Sequence, residues 1–326
     1  MLFTRDILNI DPEHEVTRVC VFLREQVREV YRRSGIVVGL SGGIDSAVMA
    51  ALAVNALGKD QVVGLILPEK ESNPLSSSYA GDHARQLGIE HREIDVSSTV
   101  ESVFPYTRRD EYIRKLIPEF RQGCRYNIVL PSDLLERDSY SVYVLQVQLP
   151  DGSISKKRLS TEGFRFITSS ANIKIRARML HLYAEADRRN LVVAGTTNRT
   201  EYLLGDFCRY GDGGTDTEPI AHLYKDQIYQ IARYLDVPGE IIERVPSPDT
   251  FSLPVSDQEF FFRIPFEKLD LLLYAWEHAV DEVQTAKVLD LPPEAVRRAF
   301  QDFTTKNRAT RHLRNMPYSL CEPARG

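Results

Sequence analysis

A strand, a glycine-rich turn and a helix in immediate succession constrain this chain more than any other stretch. Ile36-Val37-Val38-Gly39-Leu40 suits a strand buried on both faces, Ser41-Gly42-Gly43-Ile44-Asp45-Ser46 makes the turn, and DSAVMAALAVNAL continues as a helix. Successive backbone N–H groups in such a turn form an anion-binding nest at the positive end of the helix. Glycines at 42 and 43 let the backbone approach a phosphate and permit positive φ. The Ser41 and Ser46 hydroxyls add donors, and Asp45 supplies a carboxylate suited to Mg²⁺. The turn lacks the lysine of GxxxxGK[ST], and it is not GxGxxG. The plainer alternative is a glycine turn with Asp45 as a helix N-cap.

The same alternation runs along much of the chain. Apolar residues at helical spacing mark 14–33, residues 77–87 and 171–189 read as helices, and a helix is expected near 100–120. Val62 to Leu67, His91 to Ile94 and Leu191 to Ala194 read as strands. Helices alternating with short apolar strands predict an α/β fold: a doubly wound parallel sheet with helices on both faces. Ligands of such sheets sit beyond the carboxyl ends of the strands. Two stretches break the rhythm. Residues 139–160 alternate polar and apolar side chains around Pro150-Asp151-Gly152, which predicts an inserted β-hairpin, placed within about 122–165. Residues 246–265 hold four prolines and no helical period, as expected of a long loop or lid. Within it, Phe260-Phe261-Phe262 is expected to pack on the body rather than cap a ligand. From Phe266 to the end the chain reads as a small helical part with a basic tail, so the expected division is 1–265 and 266–326.

Composition narrows the class. Forty-one Lys and Arg against 46 Asp and Glu give a net charge of −5, which argues against a nucleic-acid-binding face. No apolar run approaches the roughly 18 residues that cross a bilayer, and residues 1–18 do not read as a secretory signal. Cys20, Cys124, Cys208 and Cys321 are scattered and form no CxxC, which fits a reducing, cytoplasmic setting without a disulfide framework or a zinc site.

Four elements in order carry a resemblance. Ser41 to Ser46 is the SGGxDS signature of the ATP pyrophosphatase (PP-loop) superfamily. Gly195-Thr196-Thr197-Asn198-Arg199-Thr200-Glu201 resembles GTxNxxE, Tyr210 to Asp216 resembles YGDGGxD, and Pro219 to Lys225 resembles PIxxLYK. Together with Asn172 to Met179, similar to NxKxRxRM, they resemble ammonia-dependent NAD synthetase over roughly 14–120 and 166–250. The resemblance implies an adenine nucleotide alpha hydrolase-like fold and an amide ligase. ATP would adenylate the carboxylate of deamido-NAD, and ammonia would then displace AMP. Such chemistry asks the protein mainly for positioning and charge neutralisation.

By the resemblance, ATP is held by Gly39, Leu40, Ser41, Gly42, Gly43, Ile44, Asp45, Ser46, Thr196, Lys225 and Ser247. Asp45 and Glu201 would hold Mg²⁺, and Lys225 would offset developing phosphate charge. Asp212 would orient ammonium and accept its proton. Arg176, Arg209, Asp216, His312 and Leu313 would contact deamido-NAD. The plain alternatives are a helix-terminal Lys225, a solvated Glu201 and a basic helix face for Arg176 and Arg178. Their i, i+2 spacing lets at most one of these arginines reach a given ligand.

Departures from the family pattern fall on the acid-substrate side. They are a longer connection before Asn172, a lid without the usual acidic and glycine residues, and Leu313 where HKRxxP has Lys. They keep a second reading open, in which the chain amidates a different carboxylic acid of a sugar or natural-product pathway. The resemblance further implies a homodimer. No amidotransferase domain is evident, so ammonia would come free or from a separate glutaminase subunit.

Overall fold

The computed structural model describes residues 3–138 and 141–316. Four strands form a wholly parallel sheet: β1 (Gly35–Gly39), β2 (Val62–Ile66), β3 (Glu90–Glu93) and β7 (Leu191–Ala194), in the order β3-β2-β1-β7. Ile36 pairs with both Val62 and Val192, at the centre of the sheet. Side chains alternate between the two faces. Ile36, Val38 and Val192 pack on α1 (Pro12–Glu25), α2 (Ile44–Leu57) and α8 (Lys225–Tyr234). Val37, Val63, Leu65 and Val193 pack instead on α4 (Ser97–Val103), α5 (Tyr106–Leu116) and the C-terminal half of α6 (Thr161–Arg189). The sheet is therefore covered on both sides at β1, β2 and β7, as their apolar runs require, while the edge strand β3, Glu90-His91-Arg92-Glu93, is largely exposed. Because the strands are parallel, the turns after β1, β2 and β7 emerge at one edge.

The expected hairpin is present as part of a second, three-stranded sheet. Strands β5 (Val144–Gln148) and β6 (Ile154–Arg158) do flank the Pro150-Asp151-Gly152 turn, but β5 also pairs antiparallel with β4 (Arg125–Val129). Ser139 and Tyr140 lie outside the described residues. One face of this sheet, Tyr126, Ile128, Leu145 and Val147, is buried against Ile113 of α5, Ile117 just after it, and Ile167 and Ala171 of α6. Helix α6 thus starts at Thr161 rather than at 171, with Ser160 as N-cap accepting from the Gly163 N–H (3.1 Å). Its first half serves one core and its second half the other. The buried face drifts along its 29 residues, which is why no single apolar stripe marks the whole helix. The region near 100–120 is two helices, α4 and α5.

An ion network joins the two cores. Lys174 Nζ donates to Glu69 (2.9 Å), Glu71 (2.7 Å) and the Thr250 carbonyl (2.9 Å). Arg109 grips Glu71 through two bonds of 2.7 Å, and the Tyr106 hydroxyl donates to Glu69 (2.6 Å). Every charge there is paired and hydrogen-bonded, the condition under which burial of ions is tolerated.

Helices α3 (Pro74–Leu87), α7 (Arg199–Leu204) and α9 (Gly239–Ile242) complete the first part of the chain. The C-terminal part is α10 (Phe266–Glu277), α11 (Glu282–Leu289), α12 (Pro293–Ala309) and α13 (Arg311–Arg314), closed around Leu269, Leu272, Leu273, Val296 and Phe303. Leu203, Leu204 and Tyr224 join that core, so the turns bearing the GTxNxxE and PIxxLYK elements are anchored to it. The 246–265 stretch is mostly irregular, as expected, with a π-helical turn at Gln258–Phe262. Its aromatics pack: Phe262 is buried in the C-terminal core, and Phe260 lies against the second sheet. Among the described residues, no helix is long and apolar enough to cross a membrane, and Cys20, Cys124 and Cys208 are free thiols. Cys321 and Pro317 lie outside the described residues.

Candidate active site

The turn after β1 is held open by its own serines. Ser46 Oγ donates to the Gly43 carbonyl (2.9 Å) and accepts from the Ser41 N–H (3.2 Å), while Ser41 Oγ accepts from the Gly43 N–H (3.2 Å). Gly43, not Asp45, is the N-cap of α2. Gly42 takes φ +71°, and a Cβ there would sit 2.3 Å from the Ser76 carbonyl, so only glycine fits. Leu40 and Ile44 are buried beneath the turn, while Ser41 is exposed. The Asp45 side chain thereby points away from the cap and toward the turn after β7.

There it meets residues from two other motifs. Asp45 Oδ1 accepts from Asn198 Nδ2 (3.0 Å), and its Oδ2 contacts the Lys225 ammonium. Lys225 Nζ also lies 3.6 Å from Glu201 Oε1. Glu201 and Asn198 form the capping box of α7: the Glu201 N–H donates to Asn198 Oδ1 (3.0 Å), and the Asn198 N–H to Glu201 Oε2 (3.2 Å). The geometry assembles Asp45, Glu201 and Lys225 at the shared edge of β1 and β7. Burial, then the neighbouring Asp45, pushes the Glu201 carboxyl well above the usual carboxylate range, with Lys225 pulling the other way. Burial would lower the Lys225 pKa, but Asp45 and Glu201 outweigh it and hold the ammonium charged. Two carboxylates crowded in this way call for a cation between them.

Sequence reasoning missed the supports of this cluster. Thr200 Oγ1 donates to Asp270 of α10 (2.6 Å) and accepts from the Lys225 N–H (3.2 Å), and Asp270 also accepts from the Asp226 N–H (2.7 Å). One buried carboxylate of the C-terminal part thus fixes the starts of both α7 and α8. Burial raises the Asp270 pKa to about 6 despite those bonds. Asp257, at the head of the π-helical turn, lines the same small recess as Lys225 and Glu201. Nothing local singled these residues out except that Asn198 and Thr200 lay inside a recognised motif.

The other nucleotide-side residues lie close by. Thr196 is half-buried at the end of β7. Ser247 accepts from the Asp249 N–H (3.3 Å) and lines a cleft of about 800 Å³ with Asn73, Tyr79, Arg244 and Phe251. Asp249 ties this strap to α3 through the Asn73 N–H (3.3 Å) and the Ser76 hydroxyl (3.1 Å).

The acid-side residues form a looser group. Arg176 donates twice to the Arg209 carbonyl (3.3 Å each), and Arg209 reaches the Asn315 carbonyl (3.1 Å). This brings Arg176 and Arg209 next to α13, where His312 is exposed and Leu313 half-buried. Arg178 turns the other way, to the Leu67 carbonyl (3.0 Å) and Ser72 Oγ (3.2 Å), as the i, i+2 spacing predicts. Asp212 is exposed, its Oδ1 accepting from the Cys208 (2.6 Å) and Gly213 (3.2 Å) N–H groups. Asp216 is placed differently. Its Oδ1 accepts from the Tyr183 hydroxyl (3.0 Å) and its Oδ2 from the Val193 N–H (2.8 Å), so both oxygens are engaged inside the fold. A further carboxylate, Glu218, receives the Thr197 N–H (3.1 Å) and the Thr197 and Thr215 hydroxyls (3.1 and 3.0 Å).

Comparison with known proteins gives the family. The NAD synthase family profile matches residues 15–129 and 140–317, which takes in β5, β6 and α13, beyond the motif-bearing stretches. An NH(3)-dependent NAD(+) synthetase of Rhizobium rhizogenes is 41% identical over 312 residues, covering 96% of this chain and 94% of the relative. That of Rhizobium meliloti is 39% identical over 323 residues, covering 99% and 96%. Among solved structures, the NH3-dependent NAD synthetase of Campylobacter jejuni superposes with a TM-score of 0.62 at 24% identity, covering 95% of this chain and all of that one. An NMN synthetase of Francisella tularensis gives 0.67 at 22%, covering 95% and 99%. At these identities the structures speak for the fold, while the sequence relatives and the profile define the family. The chain belongs to the NAD synthase family.

Proposed function

We propose that this protein is an ammonia-dependent ligase that converts deamido-NAD to NAD, with ATP cleaved to AMP and pyrophosphate. The observation that carries the reading is the convergence of Asp45, Glu201 and Lys225, drawn from three separated motifs, beside a turn built to hold phosphates. The relatives that match nearly the whole chain are named for this activity. They favour it over amidation of a different acid.

A carboxylate resists ammonia because hydroxide leaves poorly. Attack of the substrate carboxylate on the α-phosphorus of ATP forms the acyl-adenylate and breaks the bond to the β-phosphate. Ammonia then adds to the acyl carbon and AMP departs. The turn at 39–46 cradles the phosphates, Thr196 and Ser247 contact the nucleotide, and Lys225 steadies the phosphate charge. Asp45 and Glu201 would hold Mg²⁺. Two carboxylates suit an ion that keeps waters and substrate phosphates as its other ligands. Among the described residues, no group of three or more His, Cys, Asp or Glu side chains is arranged as a closed metal cage. Bound there, Mg²⁺ supplies charge neutralisation to the leaving pyrophosphate. Asp212, exposed on the glycine-rich loop, orients ammonium and takes its proton. Arg176, Arg209, His312 and Leu313 meet the dinucleotide, with Asp216 positioning the loop.

Apolar side chains exposed on α1 and α6, Val21, Phe22 and Leu180 among them, fit the homodimer expected of the family. The acidic net charge and the lack of a membrane-crossing helix among the described residues fit a cytoplasmic enzyme using free ammonia or a separate glutaminase subunit.

The test is pyrophosphate release from Mg-ATP and ammonium, with deamido-NAD offered beside a panel of other carboxylic acids. Release with deamido-NAD, with NAD as product, is expected. Release only with another acid would keep the nucleotide side and overturn the substrate.

A further inference from the structure

We propose that Arg244 is an additional phosphate-binding residue of this active site, meeting the pyrophosphate leaving group beside the Ser41–Ser46 turn. The inference rests on reading that turn as the ATP phosphate site.

Three observations carry it. Arg244 is half-buried, with Nη1 donating to the Gly42 carbonyl (3.2 Å) and Nη2 to Ser76 Oγ (2.8 Å). Its guanidinium is therefore already seated against the turn, and it also lines the cleft of about 800 Å³. Secondly, both groups it touches are neutral. Among the described residues Arg244 forms no direct ion pair, and Asp249 reaches it only through the Ser76 hydroxyl. A guanidinium has five donors in a planar fork suited to phosphate. Two of these donors are occupied. Thirdly, Lys225, the cation that sequence assigns to phosphate charge, is shared between Asp45 and Glu201.

The chemistry needs such a group. When the substrate carboxylate attacks the α-phosphorus, the bond from that phosphorus to the bridging oxygen breaks. The electron pair stays on the bridging oxygen, and pyrophosphate leaves with one more negative charge than it carried within ATP. A preorganised cation at that oxygen lowers the barrier most if it meets charge that appears only as the bond breaks. Against a single further cation, Arg125, whose guanidinium bonds Gln148 Oε1, the remaining cleft walls carry the carboxylates of Glu71, Glu240, Glu243, Asp249 and Glu259. These repel a bare anion, which confines phosphate binding to the corner where Arg244 meets the turn and favours pyrophosphate departure afterwards.

The experiment compares the full-length enzyme with Arg244→Gln and Arg244→Lys. It measures Mg²⁺-dependent ATP–pyrophosphate exchange, steady-state constants for ATP and deamido-NAD, and inhibition by pyrophosphate and by AMP. For Arg244→Gln, the ATP KM and the pyrophosphate inhibition constant should each rise about tenfold, while the deamido-NAD KM and AMP inhibition stay unchanged. Arg244→Lys, which keeps the charge but loses the fork, should recover part of the loss. AMP is the discriminating probe because it lacks the β- and γ-phosphates, so a collapsed turn or cleft would weaken it as well. Equal weakening of AMP and pyrophosphate, or an unchanged pyrophosphate constant, would overturn the proposal. Should Arg244→Gln fail to fold, the same pair of inhibition constants in Arg244→Lys decides. An absence of exchange in the unmodified enzyme would instead remove the ATP site on which the inference stands.

Discussion

The nucleotide side and the acid-substrate side of this site are built in different ways. On the nucleotide side, Asp45, Asn198, Glu201 and Lys225 hold one another, and Asp270 fixes the backbone beneath them. On the acid side, Arg176 rests on a main-chain carbonyl at 3.3 Å, Arg209 on another, and His312 is exposed. On the roles proposed for them, the difference follows from what each must do. A phosphate site has to be assembled before ATP arrives, since preorganised charge is what lowers the barrier. A dinucleotide site instead trades weak contacts with backbone carbonyls for contacts with substrate. Variants should therefore behave in opposite ways on the two sides.

Asp45→Ala should have the largest effect. It removes a carboxylate that touches both Asn198 and Lys225, and should cut pyrophosphate release about a thousandfold, the scale of losing a principal electrostatic contact. The fold should survive, because Lys225 keeps Glu201 as partner and the Glu201 carboxyl is relieved of a like charge. Retained activity in this variant would end the metal assignment and, with it, the contrast between the two sides.

Thr200→Val tests whether the C-terminal helices hold the nucleotide side together. The substitution leaves one Asp270 oxygen and the Lys225 N–H without their partner in a buried setting. That should cost about 2–3 kcal/mol of folding stability, read as a shifted midpoint in denaturant with kcat reduced. An unchanged midpoint would mean that the connection between α7, α8 and α10 bears little load.

Arg176→Ala addresses the acid side. Loss of one charged contact should raise the deamido-NAD KM about tenfold, equivalent to roughly 1.4 kcal/mol. The ATP constants and the thermal midpoint should barely move, because the bonds lost within the free protein are two long ones to a single carbonyl. Equal effects on both substrates would show that the two sides are not separable.

How much of this was legible in sequence follows the same division. The turn after β1 was readable because its parts are local: strand end, glycines, hydroxyls and carboxylate all lie within Gly39–Ser46. The three strands β1, β2 and β7 were readable from their apolar runs, since burial on both faces leaves little choice of residue. Strand β4 was not. Its RYNIV has only one clean alternation, and it pairs with a partner beyond a long connection. Helix α6 was cut short because its buried face changes cores midway. Asn198, Asp270 and Arg244 act across separations of 153, 70 and 202 residues, which no local pattern encodes. Asp216 shows the converse. The resemblance gives it to deamido-NAD, and nothing in the motif foretold that its carboxylate oxygens accept from the Tyr183 hydroxyl and the Val193 N–H within the fold.

The smallest expected effect concerns Glu218, which sits between the two sides. It is held beneath Gly195, where a Cβ would come within 2.3 Å of the carboxylate, and three bonds from Thr197 and Thr215 converge on it. Burial nonetheless pushes its carboxyl up to about 7 from an ordinary value of 4.5. The folded state thus holds a proton that the unfolded chain releases earlier. Its stabilising contribution is complete below pH 4.5 and is lost as pH rises toward and through 7. Glu218→Gln stays neutral throughout and can still accept the Thr197 N–H. The difference in melting temperature between Glu218→Gln and the unmodified protein should therefore move in favour of the variant from pH 5 to pH 8, then level off. Asp270 titrates in the same range in both proteins and cancels from the difference. Parallel curves would mean that Glu218 ionises freely where it sits. A divergence accompanied by loss of ATP affinity only above pH 7 would instead tie this carboxylate to the turn bearing Thr196, and so to the nucleotide side.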